Sequence, residues 1–216
     1  MATQAVIFDM DGTLVDSMPF HRQAWKLFLQ RYGMQLTDEE FNEKNHGTLF
    51  QVVPRLFGRP MSDEEAWQFG LEKEALFREI YAPHQCAIEG AMELLQHLRG
   101  LPVKTGLATA ADHLNANFTI DALGIRQLLD AVVTATEVKE GKPNPAVYLR
   151  TAQLLGAEPQ RCLVFEDSFS GIEAALAAGM RVIAITTGHA AGAFEHLPLA
   201  GIIPHYAGLD IAGYLR

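Results

Sequence analysis

The apolar run Ala5-Val6-Ile7-Phe8 breaks off abruptly into Asp9-Met10-Asp11-Gly12-Thr13. A short run of that kind reads as a buried strand, and here it delivers two carboxylates to its carboxyl end. Two acids so close repel each other and resist desolvation unless they share a cation or a proton. A metal site is one reading. The other is an Asx-rich turn in which Gly12 supplies the bend, and these residues alone do not choose between them.

After this strand the pattern changes. His21-Arg22-Gln23-Ala24-Trp25-Lys26-Leu27-Phe28-Leu29 carries apolar residues at helical spacing, and Thr37-Asp38-Glu39-Glu40 is a helix start with a capping-box pattern. A helix is expected from Thr48 to Phe57. Another starts at Ser62-Asp63-Glu64-Glu65 and runs to about Tyr81, beyond the break at Gly58-Arg59-Pro60. From Pro83 onward strands and helices alternate, the signature of a parallel sheet with helices on both faces. Helices are expected at Ala91 to Arg99, up to Leu123, at Asn144 to Leu155 and at Ser168 to Ala178. Strands are expected at Val103 to Thr109, Ala131 to Thr134, Cys162 to Asp167 and Arg181 to Ile185, with short elements near Ile202-Ile203 and Ile211 to Leu215. The expected architecture is α/β: a Rossmann-like core from 1–16 and 84–216, interrupted by an all-helical cap domain at 17–83 that closes over the strand ends.

Composition narrows the partners. With 216 residues, 49% of them hydrophobic, the chain can bury a substantial core. A net charge of −9 and a pI near 5.3 argue against non-specific binding to nucleic acid or to an anionic membrane surface. An anionic substrate would therefore need local cations. No stretch approaches the roughly 18 consecutive apolar residues of a membrane span, and the N-terminus enters a strand without a basic and apolar signal segment. The expected setting is the cytoplasm, and the expected state a monomer. Cys86 and Cys162 lack metal-ligand spacing and are expected to be reduced core thiols; the eight His are scattered without a close ligand pair, against a zinc site.

Doubly wound sheets bind ligands outside the carboxyl ends of their strands. At those ends this chain places Asp9 and Asp11, Thr109, and Glu166 with Asp167, and Lys142 joins them if the loop Glu140-Gly141-Lys142-Pro143-Asn144-Pro145 folds over the same edge. Read singly, each has an ordinary structural alternative. Thr109 would be a strand-end hydroxyl capping the next helix, Lys142 a solvated loop lysine, and Glu166-Asp167-Ser168 an N-cap cluster. Read together, hard carboxylate oxygens favour Mg2+, which takes one or two protein carboxylates plus substrate phosphate. A carboxylate attacks phosphorus only when its repulsion with the phosphate is suppressed, which a divalent ion and a lysine achieve. Aspartyl-phosphate chemistry follows, with Asp11 placed to give and take the proton.

In this combination the chain resembles the haloacid dehalogenase-like superfamily, and within it the β-phosphoglucomutase-like phosphatases and phosphomutases with a helical cap after the first motif. Asp9-x-Asp11-Gly12-Thr13 matches the first motif, Thr109 the second, Lys142 in Gly-Lys-Pro-x-Pro the third, and Glu166-Asp167 within Phe165-Glu166-Asp167-Ser168-x-x-Gly171 the fourth. The resemblance covers essentially the whole chain. It implies that Asp9 is the nucleophile, Asp11 the general acid/base, and Thr109 and Lys142 the grips on the phosphoryl group. Mg2+ would be held by the Asp9 carboxylate, the Asp11 carbonyl and Asp167, with Glu166 in support. Asp11 also disfavours the dehalogenase branch, whose halide leaving group needs no proton.

A phosphomutase must hold a second phosphate, whereas a phosphatase need only admit water. Similar mutases carry a Ser, Lys, Asn cluster after the second motif; this chain has Ala111-Asp112-His113 there, Phe50 at the arginine position of the cap and His46 at a cap lysine position. These differences favour hydrolysis of a small phosphorylated metabolite, a sugar phosphate among the candidates. Arg22 or Arg55 reaching inward would restore the mutase alternative. His21, His46 and Phe50 are the candidate cap residues facing substrate, against the plainer readings of surface histidines and a core phenylalanine. A third alternative, a phospho-Asp signalling switch, fits poorly with the length of the chain, the helical insertion and the second acid.

Overall fold

The computed structural model describes residues 2–45 and 49–216. The chain divides into two compact units, Met1–Asp16 with Gln85–Arg216, and Ser17–His84. His84, read from sequence as the first core residue, instead falls in the helical unit.

The larger unit is built on six parallel strands: β1 (Ala5–Phe8), β2 (Lys104–Ala108), β3 (Ala131–Val133), β4 (Cys162–Glu166), β5 (Arg181–Ile185) and β6 (Gly201–Ile203), ordered β3-β2-β1-β4-β5-β6. Every residue of β1 and of β4 is buried, as expected of strands covered on both faces. Side chains alternate: Ala5, Ile7, Cys162, Val164, Val182 and Ala184 enter one core cluster, together with Val147, Tyr148 and Ala152 and with Ile172, Ala174 and Ala175. Phe8 and Phe165, a residue pair in register across β1 and β4, stack at 5.0 Å and meet Tyr206. Strand order reverses between β1 and β4, so the crevice of a doubly wound sheet falls at their carboxyl ends.

The helices of this unit are, in chain order after the insertion, α5 (Ala91–Arg99), α6 (His113–Leu123), α7 (Ala146–Leu155), α8 (Phe169–Ala177) and α9 (Ile211–Tyr214). Helix α7 starts two residues later than the sequence pattern suggested, because the Asn144 side chain accepts the Ala146 amide at 3.0 Å and turns the chain before the helix begins.

The smaller unit holds α1 (Met18–Arg31), α2 (Asp38–Lys44), α3 (Leu49–Phe57) and α4 (Asp63–Tyr81). Thr37 and Glu40 form a complete capping box at the start of α2, and Ser62 caps α4 through the Glu65 amide. Phe28, Tyr32, Phe57 and Phe69 form its ring cluster. Thr48, expected as the start of α3, lies outside the described residues. Cys162 is a buried thiol, its pKa raised to about 11 by burial, but Cys86 is exposed rather than in the core, on the irregular segment that follows the helical unit. Among the described residues no helix is long and apolar enough to cross a membrane.

Candidate active site

Sheet register sets the geometry. Because Phe8 pairs with Phe165 and with Leu107, the next residue, Asp9, emerges level with Glu166 on one side and Ala108 on the other. The Asp9 amide donates to the Phe165 carbonyl at 3.0 Å. Lys142 reaches in from the loop before α7 and donates to Asp9 Oδ1 at 2.5 Å, to Glu166 Oε1 at 2.6 Å and to the Ala108 carbonyl at 3.3 Å. The lysine is therefore no solvated loop residue. Asp9, Glu166 and Asp167 each offer a carboxylate oxygen within 4.8 Å of the others'.

The loop after β1 is a tight turn around the buried Met10, whose carbonyl accepts the amides of Thr13, Leu14 and Val15. Gly12 has φ +84, and a Cβ there would run into the Asp167 carboxylate. Both the backbone angle and the space demand glycine. Thr13 donates to Asp167 Oδ1 at 3.0 Å, Thr187 donates to the Gly12 carbonyl at 2.5 Å, and the buried Tyr206 donates to the Thr13 carbonyl at 3.0 Å. Asp11 is half-buried in this turn, bridged through its backbone to Val15.

Glu166 is saturated. Its Oε1 accepts Lys142 and the Tyr148 hydroxyl at 3.0 Å, and its Oε2 accepts the amides of Asp167 and Ser168 and the Ser168 hydroxyl. Its carboxylate lies where a Cβ on Gly171 would be, which accounts for glycine in the first turn of α8. By contrast Asp9 Oδ2 and Asp167 Oδ2 accept no hydrogen bond from the described residues, so they are the oxygens free to take a cation. A hard oxygen set of this kind fits Mg2+.

The electrostatics follow from three buried carboxylates facing one ammonium. Burial lifts the Asp9 pKa well above the carboxylate range, against the pull of Lys142 and with the push of Glu166 and Asp167. Burial also opposes the charge on Lys142, but Asp9 and Glu166 outweigh it and raise its pKa well above the usual value. Asp167 is raised to about 7, by burial first and then by Glu166. Each such shift marks a site short of positive charge.

Thr109 stands at the end of β2, buried. Its hydroxyl oxygen accepts the Ala111 amide at 3.0 Å and makes no hydrogen bond to the acid cluster among the described residues. It does not cap α6; Asp112 does, accepting the Asn115 amide at 2.8 Å. The structure thus brings Asp9, Lys142, Glu166 and Asp167 into direct contact range, with Asp11 on the adjoining turn and Thr109 at the neighbouring strand end.

The cap candidates lie in the helical unit. His46 falls outside the described residues. Phe50 is 45% exposed and stacks on Trp67, so it is not a core phenylalanine. His21 is half-buried rather than a surface histidine, its ring 3.6 Å from that of Phe77 and its Nδ1 2.8 Å from Lys73 Nζ. Lys73, absent from the sequence reading, is 2% exposed, is bonded to Glu74 and lies over the rings of Trp25 and Phe77. It interrupts the apolar stripe Ala66, Gly70, Phe77 and Tyr81, a signal the sequence did carry. Arg22 is held by Asn42 and the Phe41 ring, and Arg55 binds the Lys44 carbonyl.

A family model described as a haloacid dehalogenase-like hydrolase matches residues 3–179. The chain belongs to that family. This hydrolase is 37% identical to the hexitol phosphatase A of Escherichia coli strain K12, over 86% of its own length and 84% of the relative. It is 34% identical to the validoxylamine A 7'-phosphate phosphatase of Streptomyces hygroscopicus subsp. limoneus, over 88% and 89% of the two chains. Among solved structures, a HAD hydrolase of family IA, variant 3, from Entamoeba histolytica superposes on the hydrolase with a TM-score of 0.92 at 28% identity, covering 98% of this chain and 97% of the other.

Proposed function

We propose that this hydrolase is a Mg2+-dependent phosphatase releasing inorganic phosphate from a small monoester of a sugar or sugar alcohol through an aspartyl phosphate on Asp9. The observation that carries the reading is the state of the Asp9 carboxylate: it is held by Lys142 through Oδ1 and offers an oxygen within 4.8 Å of carboxylate oxygens of Asp167 and Glu166. The names of the two curated relatives support the phosphomonoester class and its polyol character.

On this reading Asp9 attacks phosphorus as the bond to the ester oxygen breaks, and Asp11 protonates the departing alkoxide. Water then attacks the phosphoryl group, Asp11 takes the water's proton, and Asp9 is released with phosphate. Lys142 neutralises phosphoryl oxygens throughout, and the Thr109 hydroxyl, whose hydrogen has no acceptor among the described residues, donates to another. Asp9, Asp167 and the Asp11 carbonyl would hold Mg2+, which would supply charge neutralisation between carboxylate and phosphate. The helical unit acts as the cap that selects the substrate.

Water is favoured over the hydroxyl of a bound phosphosugar as acceptor because the segment after Thr109 carries Asp112, an acid committed to capping α6, where a distal-phosphate site needs cations. The acidic net charge supports a small metabolite rather than nucleic acid or an anionic membrane as partner. A monomer in the cytoplasm is the setting this reading takes. The test is phosphate release across a panel of phosphorylated sugars and polyols with and without Mg2+, beside Asp9→Asn. Release that needs Mg2+ and vanishes in Asp9→Asn is expected; normal turnover by that variant would sink the mechanism. Isomerisation of a sugar phosphate with little free phosphate would favour the mutase instead.

A further inference from the structure

The lysine that grips phosphate is itself held from behind. Tyr148, on α7, is fully buried, and the reading above gives it no part in the reaction. Its hydroxyl donates to Glu166 Oε1 at 3.0 Å, the same oxygen that accepts Lys142 at 2.6 Å. Its ring lies under the Lys142 ammonium, with Nζ 4.9 Å from the ring centroid, within the range where the aromatic face attracts a cation.

We propose that Tyr148 is a positioning residue, whose hydroxyl and ring together set how the Lys142 ammonium is shared between Glu166 and Asp9. The physical reason is competition at one oxygen. Glu166 Oε1 divides its negative charge between two donors, so the phenol weakens the hold of Glu166 on the lysine. Removing the hydroxyl leaves Lys142 as the sole donor to that oxygen and draws the ammonium toward Glu166, away from Asp9 and the phosphoryl site. The ring adds a wall that keeps the ammonium from swinging out of the site. Burial and the nearby Glu166 keep the phenol protonated, so it remains a donor. Lys142 and Tyr148 stand on one short stretch, the loop into α7 and its first turn. The clamp is thus built from a single local segment closing on the ends of β1 and β4.

The inference rests on the phosphatase reading for its kinetic consequence but not for its geometry, and the test separates the two. In Tyr148→Phe, kcat for phosphate release is expected to fall about tenfold with KM within about twofold of the parent, the size expected for a hydrogen bond to a charged group. Tyr148→Leu, which also removes the ring, is expected to lose more. Independently of any substrate, the Lys142 ammonium of the parent is expected to give a slowly exchanging 15N–1H signal, assigned by its loss in Lys142→Arg. That signal should shift or broaden in both Tyr148 variants. A Tyr148→Phe protein with unchanged kcat and an unchanged ammonium signal, merely melting lower, overturns the proposal and leaves Tyr148 a core ring. A parent that releases no phosphate while its ammonium signal still depends on Tyr148 supports the positioning role and overturns the phosphatase reading. Should Tyr148→Leu not fold, Tyr148→Phe carries both readouts.

Discussion

Asp167 and Glu166 are neighbours in sequence with opposite situations. Glu166 spends both oxygens on donors within the protein, while Asp167 spends one on Thr13 and keeps one free. Asp167→Asn is therefore expected to raise the Mg2+ concentration for half-maximal activity by on the order of a hundredfold. Glu166→Gln should leave that concentration nearly unchanged but lower kcat, because the amide nitrogen replaces either the oxygen that holds Lys142 or the one that holds two backbone amides. Mg2+ titrations of the two variants distinguish them, and an equal rise in both would show that Glu166 ligates the metal after all. At this scale the acids, Lys142 and the two motif glycines were legible, because each breaks the pattern of its segment. Tyr148, Thr187 and Tyr206 were not, since donating to a carboxylate or a main-chain carbonyl from a distant segment leaves no periodic or compositional mark.

Whole elements were the most readable level. Apolar runs of strand length ending in polar residues located β1, β2, β4 and β5 to within a residue or two. The capping box before α2 was also visible, and the structure shows both of its reciprocal bonds. Thr37→Ala removes the acceptor of the Glu40 amide and is expected to destabilise the helical unit by about 1 kcal/mol. Thermal or urea melts would measure it, with kcat expected to be unaffected; no change in stability would mean that α2 is held by its packing alone. Lys73 shows how an element reading fails. Its place in the apolar stripe of α4 was a mark in the sequence that went unread, and the packed rings of Trp25 and Phe77 with His21 show the buried ammonium.

Across the whole molecule, the shortage of positive charge at the strand ends couples stability to pH. Asp167 binds its proton with a pKa of about 7 in the folded chain, against 3.8 for the free side chain. Between those values the folded state holds a proton that the unfolded state has lost. That contribution to stability is full below the lower value and disappears as pH rises through the upper one. The metal-free protein is expected to melt at progressively lower temperature from about pH 4 to about pH 7, and the stabilisation from a fixed Mg2+ concentration should grow over the same range. Melts with EDTA and with Mg2+ across that range would check it; a metal-free melting point rising with pH would contradict it. The division into a sheet unit and a helical insertion could be read from periodicity, but the side-chain directions in the insertion could not, as the exposure of Phe50 shows.

The place of β1 in the sheet has a further consequence for biosynthesis. It lies between β2 and β4, whose residues are added some 100 and 160 positions later. A ribosome thus delivers the Asp9 strand long before either of its partners, and the whole helical unit emerges in between. Until β4 is out, the strand has an unsatisfied edge and Asp9 has neither Asp167 beside it nor Glu166 to share its lysine. The reactive centre is therefore assembled late, from a strand made early, and pairings this distant in sequence are the slow step expected in folding.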